Sequence, residues 1–169
     1  MTKILTYGLA AISLLLITAC RGGGGGGGEG GSGSAPVVVT KATLKLATSG
    51  AGTIYGIDVT INLPAGVTIK SANPPAVDSG VVAPSGVAGS DTIASAVYTA
   101  ATSTLPGAVR IIVASANGFT TGEFAAVNGD IGAGHAPRAE DFTVASFSAS
   151  DADGKVITGL TPGLTADIQ

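Results

Sequence analysis

The chain has 169 residues, of which 45% are apolar and 11% are charged, a composition typical of one modest domain with a single core. Its single cysteine excludes an intramolecular disulfide and any metal site built on several thiolates. The formal net charge is −3, and the basic residues are scattered singly along the chain, which argues against a nucleic-acid partner.

The amino-terminal segment has the three parts of a secretory signal peptide. Lys3 supplies a positive charge, an apolar run covers residues 8–17, and the small residues Thr18 and Ala19 precede Cys20. The alternative is a transmembrane helix, but the apolar run is well short of the roughly 20 residues needed to span hydrocarbon. We therefore predict a signal peptide over residues 1–19.

The end of this segment, Leu16-Ile17-Thr18-Ala19-Cys20, resembles the lipobox of bacterial lipoproteins. In a lipobox an aliphatic residue and two small residues precede a cysteine whose thiol becomes a thioether. The resemblance implies diacylglycerol on Cys20, acylation of the new amino terminus and attachment to a membrane of the cell envelope. A free thiol after ordinary cleavage is one alternative. A redox cysteine is another, but no second cysteine is present to resolve the sulfur.

The residue after the lipobox bears on the location of the protein. Arg21 rather than Asp follows Cys20, which resembles the pattern of Gram-negative lipoproteins sent to the outer membrane. We therefore expect the protein at the outer membrane or the cell surface, provided that the source has two membranes.

A glycine-rich stretch, RGGGGGGGEGGSGSA over residues 21–35, follows the cysteine. It has no side chains to bury, so we predict a flexible tether over residues 20–35 with an end-to-end distance of roughly 20 Å. A phosphate-binding loop is the alternative explanation for so many glycines. The lysine and the serine or threonine of such a loop are absent at the required spacing.

Residues 36–169 form the predicted folded domain, and its clearest signal is an alternation in residues 54–70. Every second residue from Ile57 to Leu63 is apolar, the run breaks at Pro64-Ala65-Gly66, and a second alternation follows over residues 67–70. We predict a β-hairpin here, because a three-residue break with proline and glycine favours a tight reversal.

The rest of the domain is more strand material, with no helical period sustained over ten residues. We expect one helical turn over residues 136–141, an edge strand or irregular connection over 77–87, and a β-bulge near Ser146. The other predicted strands cover residues 38–47, 92–99, 108–114, 122–131, 142–149, 155–157 and 164–168, those at 92–99 and 108–114 being central. Eight or nine short strands predict an all-β fold, an antiparallel β-sandwich of jelly-roll type.

Two stretches resemble parts of cohesin domains. Residues 53–67, TIYGIDVTINLPAGV, resemble their early hairpin, and residues 122–131 resemble the strand before their closing hairpin; the order of elements over residues 42–169 also fits. Cohesin domains are nine-stranded jelly rolls related in fold to certain carbohydrate-binding modules. They bind calcium-loaded dockerin domains of secreted enzymes through one sheet face. The resemblance implies a non-catalytic module that docks another protein, with calcium on the partner's side.

The sequence gives little support for an enzyme. His135 is the single histidine and lies in a turn-rich loop, and no G-x-S-x-G motif supplies a nucleophile. Glu140 and Asp141 are adjacent, so on a strand they would point to opposite faces. We predict no catalytic residues and no cofactor.

Asp151 and Asp153, with Gly154, resemble the start of a calcium loop. Such a loop needs a glutamate six residues after its glycine, and Leu160 stands there. We predict a turn rather than a metal site, with weak calcium binding as the alternative.

Two other functions stay open beside protein docking. A carbohydrate-binding module would need exposed aromatic faces, for which Tyr55 and Phe119 are the candidates, and its ligand would be a polysaccharide. A structural envelope lipoprotein would need no ligand and would only coat or space the surface.

Overall fold

The structure, a computed structural model, describes residues 40–169. Apolar and polar residues alternate along its strands, and this alternation gives each strand one face directed to the interior. The nine strands are β1 (Lys41–Ser49), β2 (Ile54–Leu63), β3 (Val67–Ile69), β4 (Val82–Pro84), β5 (Thr92–Thr99), β6 (Gly107–Phe119), β7 (Gly122–Ile131), β8 (Thr143–Ser150) and β9 (Thr161–Ile168). A single 3₁₀ turn, Ala139–Asp141, completes the regular structure of the described residues.

The strands form two antiparallel sheets that pack as a sandwich, which confirms the predicted fold class. The β1 sheet has the order β3-β7-β1-β9, with β4 also paired to β7. The β2 sheet has the order β5-β6-β2-β8. Among strands that follow each other in the chain, only β5 and β6 pair directly. At the other connections the next strand therefore lies against another partner, and most of them carry the chain to the opposite sheet.

The core lies between the sheets and is built from the alternate residues of their central strands. The largest fully buried side chains are Phe124, Leu44, Leu46, Ile54, Ile57, Ile61, Leu63, Ile111, Val59, Val109, Val113 and Val127. All buried hydrophobic residues of the described part fall between residues 42 and 149, so a fragment beginning shortly before Thr40 contains this core.

The predicted hairpin at residues 54–70 is wrong. β2 pairs with β6 and β8, whereas β3 pairs with β7 in the opposite sheet. Pro64–Gly66 forms a tight turn, closed by a hydrogen bond from Val67 N–H to the Pro64 carbonyl (3.2 Å), but it carries the chain across the core. Alternation defines an apolar face for each strand, and the apolar faces of β2 and β3 are directed into the same core from opposite sheets instead of lying side by side.

The end of the chain also differs from its prediction. Residues 155–157 form no strand, and only Val156 makes an isolated bridge, to Ser150. β9 begins at Thr161, three residues before the predicted strand at 164–168, so Thr161-Pro162-Gly163 opens the strand. Proline is tolerated there because β9 is an edge strand and the missing N–H falls on the side away from β1.

Three smaller predictions have clear outcomes. β5 is an edge strand rather than a central one, because its sheet ends there. The bulge near Ser146 is confirmed, since Thr60 lies opposite Ser146 while the next residue, Ile61, lies opposite Val144. The helical turn within residues 136–141 is confirmed as the 3₁₀ turn.

In residues 40–169 no helix has the length and the hydropathy of a membrane span.

The turn at Pro64–Gly66, which carries the chain between the sheets, leads to a prediction about Gly66. Its φ is +81°, and an added Cβ would overlap the ring of His135, whereas Gly134 has φ +80° with open space around it. Gly66→Ala and Gly134→Ala share the backbone cost of about 1–2 kcal/mol for a left-handed residue. We expect Gly66→Ala to lower the free energy of unfolding more, as measured by urea denaturation.

The control is the same pair of substitutions in a His135→Ala background, where the two costs should become similar. Equal costs in the wild-type background would contradict the steric explanation.

Candidate functional site

The residues singled out in the sequence do not come together in one place. Cys20 and the tether lie outside the described residues. Phe119 is only 5% exposed and lies opposite Ile54 at the end of β6, so its prediction as an exposed contact is wrong. Tyr55 is half-buried and its ring packs against Gly118. The sugar-binding hypothesis therefore loses one of its two candidate aromatic residues.

The predicted turn at Asp151 is confirmed in its geometry. The Asp151 carboxylate accepts hydrogen bonds from the backbone N–H groups of Asp153 and Lys155, both at 2.9 Å. Asp153 points away to form an ion pair with Lys155 (3.6 Å). The Asp151 Oδ1 atom is thus engaged by the turn itself, and no group of three or more metal-binding side chains occurs within residues 40–169.

His135 and the neighbouring acidic residues have structural contacts. The His135 ring covers Gly66, as described above. Asp141 accepts a hydrogen bond from the Arg138 backbone N–H (2.7 Å), and Glu140 lies 3.8 Å from the Arg138 guanidinium. These contacts hold the loop that leads into β8 in its conformation.

The outer face of the β2 sheet exposes large hydrophobic side chains. Three aliphatic side chains are exposed there: Ile93 (72%) and Val97 (44%) on β5, and Ile112 (45%) on β6. Ser95 lies opposite Ile112, so Ile93 and Val97 are its diagonal neighbours. We call these three residues the aliphatic patch. Contiguous exposed apolar residues with polar neighbours are typical of binding surfaces.

An ion pair separates the aliphatic patch from the far side of the same face. Arg110 donates through Nε to an Asp58 carboxylate oxygen (2.9 Å) and through a second nitrogen to the other oxygen. These hydrogen bonds, followed by the charge of Arg110, hold the pKa of Asp58 below its ordinary value of 3.8 despite some desolvation. The hydrogen bond to Asp58 raises the pKa of Arg110. The two charges cancel at the centre of the face.

The far side of this face consists of small hydroxyl side chains. Ser146, Ser148 and Ser150 follow each other along β8, opposite Thr60, Asp58 and Gly56 of β2. Small side chains keep this half flat and supply hydrogen-bond donors and acceptors. The whole face therefore runs from aliphatic, through a neutral ion pair, to hydroxyl, and none of the outward side chains of β5, β6, β8 and residues 56–63 of β2 is aromatic.

The outer face of the β1 sheet has a different character. Lys41 forms an ion pair with Asp130, Lys45 lies 3.9 Å from Glu123, and Thr43 hydrogen-bonds to Asn128 (3.2 Å). Charged and polar groups thus meet each other across β1 and β7. This is the pattern of a solvated sheet face.

Sequence reasoning missed the aliphatic patch, although two signals for it were present. In β5, the larger residues Ile93 and Val97 alternate with Ala94 and Ala96, and it is the smaller residues that face the core. In β6, Ile111-Ile112-Val113 breaks the alternation, which leaves Ile112 outward. An apolar residue at an outward position is the signal that could have identified this face.

Comparison with known proteins leaves this face as the main guide to function. No family model matches the chain, and no match was found among curated proteins or solved structures.

The Asp58–Arg110 pair predicts a pH dependence of stability. Because the pKa of Asp58 is lowered in the folded state, its carboxylate stabilises the fold above the unfolded pKa, and this contribution is lost as pH falls through the folded pKa. Between about pH 5 and pH 2 the wild type should lose more stability than Asp58→Asn. Both side chains are substantially exposed, so the difference should not exceed about 1 kcal/mol.

Denaturation by urea at several pH values measures this difference. Arg110→Gln should reduce it as well, because the same hydrogen bonds are removed from the other side. Identical pH profiles for the wild type and Asp58→Asn would refute the assignment.

Proposed function

We propose that this protein is a lipid-anchored, non-catalytic module of the cell envelope that docks another protein through the outer face of the β2 sheet. The observation that carries the proposal is the aliphatic patch, Ile93, Val97 and Ile112, beside the neutral Asp58–Arg110 pair. Protein interfaces combine apolar residues with polar ones, and here the aliphatic patch is bordered by the ion pair and then by the β8 hydroxyls.

The arrangement of charge on this face narrows the chemistry of the partner. Arg110 and Asp58 satisfy each other, so the centre of the face presents no uncompensated charge. A partner surface that buries the aliphatic patch would desolvate only a preformed pair, and its polar groups would meet the β8 hydroxyls. A strongly charged partner would gain little here, whereas an apolar protein surface with polar edges fits.

The resemblance to cohesins supports the same class of partner. Residues 53–67 carry part of that resemblance as a sequence pattern, although they do not pair as a hairpin, and they contain all of β2, the strand on which Asp58 lies. A dockerin-like domain loaded with calcium is therefore the expected partner, and the calcium would be held by that partner.

A polysaccharide is a weaker alternative on this surface. Sugar rings stack on flat aromatic side chains, and the outward residues along β5, β6, β8 and residues 56–63 of β2 include none. Tyr55, half-buried beside Gly118 at the start of β2, is the remaining candidate.

The lipid anchor is proposed from the lipobox resemblance at Cys20. Each buried methylene contributes about 0.8 kcal/mol, so several acyl chains would give stable attachment where one would not. The glycine-rich residues 21–35 would then separate the sandwich from the membrane surface.

Docking through the aliphatic patch predicts a specific effect of Ile112→Asp. We expect immobilised residues 34–169 to retain a protein from the organism's own secretome, and Ile112→Asp to abolish retention because it places a charge in a desolvated interface. The measurement is mass spectrometry of the retained proteins, with and without calcium.

The matched control is Ser49→Asp, the same charge on the outer face of the β1 sheet, which should leave retention unchanged. Equal retention by Ile112→Asp and the wild type would refute docking through this face. Retention of glycan alone, lost on Tyr55→Ala, would favour the carbohydrate alternative.

The anchor predicts that a fatty-acid label enters the wild-type chain and not Cys20→Ser. The physical reason is that serine lacks the thiolate nucleophile that forms the thioether. Metabolic labelling with an alkyne fatty acid, read on the purified protein, makes the comparison. Equal labelling of the two chains would contradict lipidation at Cys20.

A further inference from the structure

The two sheets end in four edges, and three of these carry a feature that hinders pairing with another chain. One edge consists of β3 and β4, which have only three residues each. Natural sheets keep edge strands short, irregular or covered, because unpaired N–H and C=O groups attract foreign strands.

The two edges of the β2 sheet are covered or interrupted. Along β5, Tyr98 N–H donates to the Pro75 carbonyl (2.8 Å), and the Ala96 carbonyl accepts from Val77 N–H (3.3 Å). Along β8, the Ala149 carbonyl accepts from Ile157 N–H (2.9 Å), and the bulge near Ser146 breaks the regular spacing. Neither edge offers a long regular ladder.

The β9 edge is the exception. β9 has eight residues and pairs with β1 without any register shift. No strand within residues 40–169 pairs with its other side, although the Ala139–Asp141 turn lies close to part of β9. Its residues Leu164, Ala166 and Ile168 face inward, yet they are only half-buried. The apolar layer of the sandwich is therefore still partly open to solvent along this strand.

The hydrogen-bonding pattern identifies which backbone groups point away from β1. Lys41 and Gln169 exchange two hydrogen bonds, each of 2.9 Å, so the odd-numbered residues of β9 bond to β1. In an antiparallel ladder successive residues alternate in direction. The N–H and C=O groups of Leu164, Ala166 and Ile168 therefore point to the unpaired side, together with the carbonyl of Pro162.

We propose that β9 pairs antiparallel with β9 of a second copy of this chain, about a twofold axis that places Thr165 opposite Thr165 of the second copy. The two β1 sheets would then join into one continuous sheet. This inference concerns a strand edge of the β1 sheet and does not depend on the proposed docking face.

The sequence of β9 is self-complementary in this register. Leu164 would lie opposite Ala166 of the second copy, and each would exchange hydrogen bonds with the other. Pro162, which lacks an N–H, would lie opposite Ile168 at the ends, where one lost bond matters least. The half-buried inward side chains of both copies would cover each other and extend the core across the axis.

Charge does not oppose this pairing. Asp167 is the single charged residue of β9, and in this register it lies opposite Gly163 of the second copy. Like charges directly opposite each other would destabilise the pair, and none meet here. The β9 edge therefore has the length, the alternating unpaired backbone groups and the apolar inward face that pairing with a second copy requires.

The test exploits the position of Thr165 on the twofold axis. Residues 20–169 carrying Cys20→Ser are used, because the substitution removes the single thiol and with it any disulfide-linked dimer. Sedimentation velocity across a wide range of concentrations should give a dimer. Thr165→Asp and Thr165→Lys should each raise the dimer dissociation constant about two- to fivefold, because each places two like charges in contact.

A mixture of the Thr165→Asp and Thr165→Lys chains should recover the dimer, since opposite charges then meet on the axis. Lys45 lies beside Thr165 on β1, so the two single variants are expected to differ in degree. Lys45 cannot account for recovery in the mixture, because it is present in both chains.

Other outcomes overturn the proposal. A wild-type chain that stays monomeric at all concentrations would refute pairing of β9 with a second copy. A dimer that is broken by Ile112→Asp but not by either Thr165 variant would place the interface on the aliphatic patch. Urea denaturation of each variant shows that it remains folded, as expected for an exposed position in β9.

Discussion

The structure depends on the burial of one apolar layer between its two sheets. The strands that enclose this layer change sheet at most of their connections. β2 lies at the centre of one sheet and β1 lies inside the other, and each presents alternate aliphatic residues to the shared interior. Because β2 is hydrogen-bonded on both sides, its inward residues Val59 and Ile61 are completely buried. Its two sequence neighbours, β1 and β3, therefore cannot pair with it, and the turns at both ends of β2 carry the chain to the opposite sheet.

This constraint also explains why the two outer faces can differ so much. The interior is filled from alternate positions, so the outward positions are free to vary without loss of core packing. On β1 and β7 they hold charged and polar residues that satisfy one another, such as Lys41 and Asp130. On β5 and β6 they hold Ile93, Val97 and Ile112, which gain nothing from solvent and reduce solubility. The β1 sheet shows that polar residues can fill the outward positions of this sandwich. The β2 sheet holds aliphatic residues at such positions instead, and its outer face is therefore the candidate for recognition.

Alternation predicted the fold class, most strands and the inward side of β2. It did not predict pairing, because a strand's two faces can be read from spacing, whereas its neighbours depend on distant parts of the chain. The turn at Pro64–Gly66 has the composition of a hairpin but crosses between sheets. Phe119 was misassigned for a related reason. β6 extends well beyond the predicted residue 114, and its irregular end brings Phe119 opposite the buried Ile54.

The candidate site shows the same limit. Asp58 and Arg110 are 52 residues apart, and only the pairing of β2 with β6 brings them into contact. Ile93 and Ile112 meet through the pairing of β5 with β6. Spacing could not reveal either contact, although the outward Ile112 within an apolar run was a local sign of the patch.

The place where the chain enters the sandwich has a mechanical consequence. Thr40 leads directly into β1, which is flanked by β7 on one side and β9 on the other, and the last residue, Gln169, is hydrogen-bonded to Lys41. A pull on the chain before Thr40, directed along β1, would slide this strand past both neighbours and load all of their cross-strand bonds together rather than one after another. Resistance to such a force would then depend on how many bonds must break at once. β1 is well placed for this, since it is held on both sides over nearly its full length.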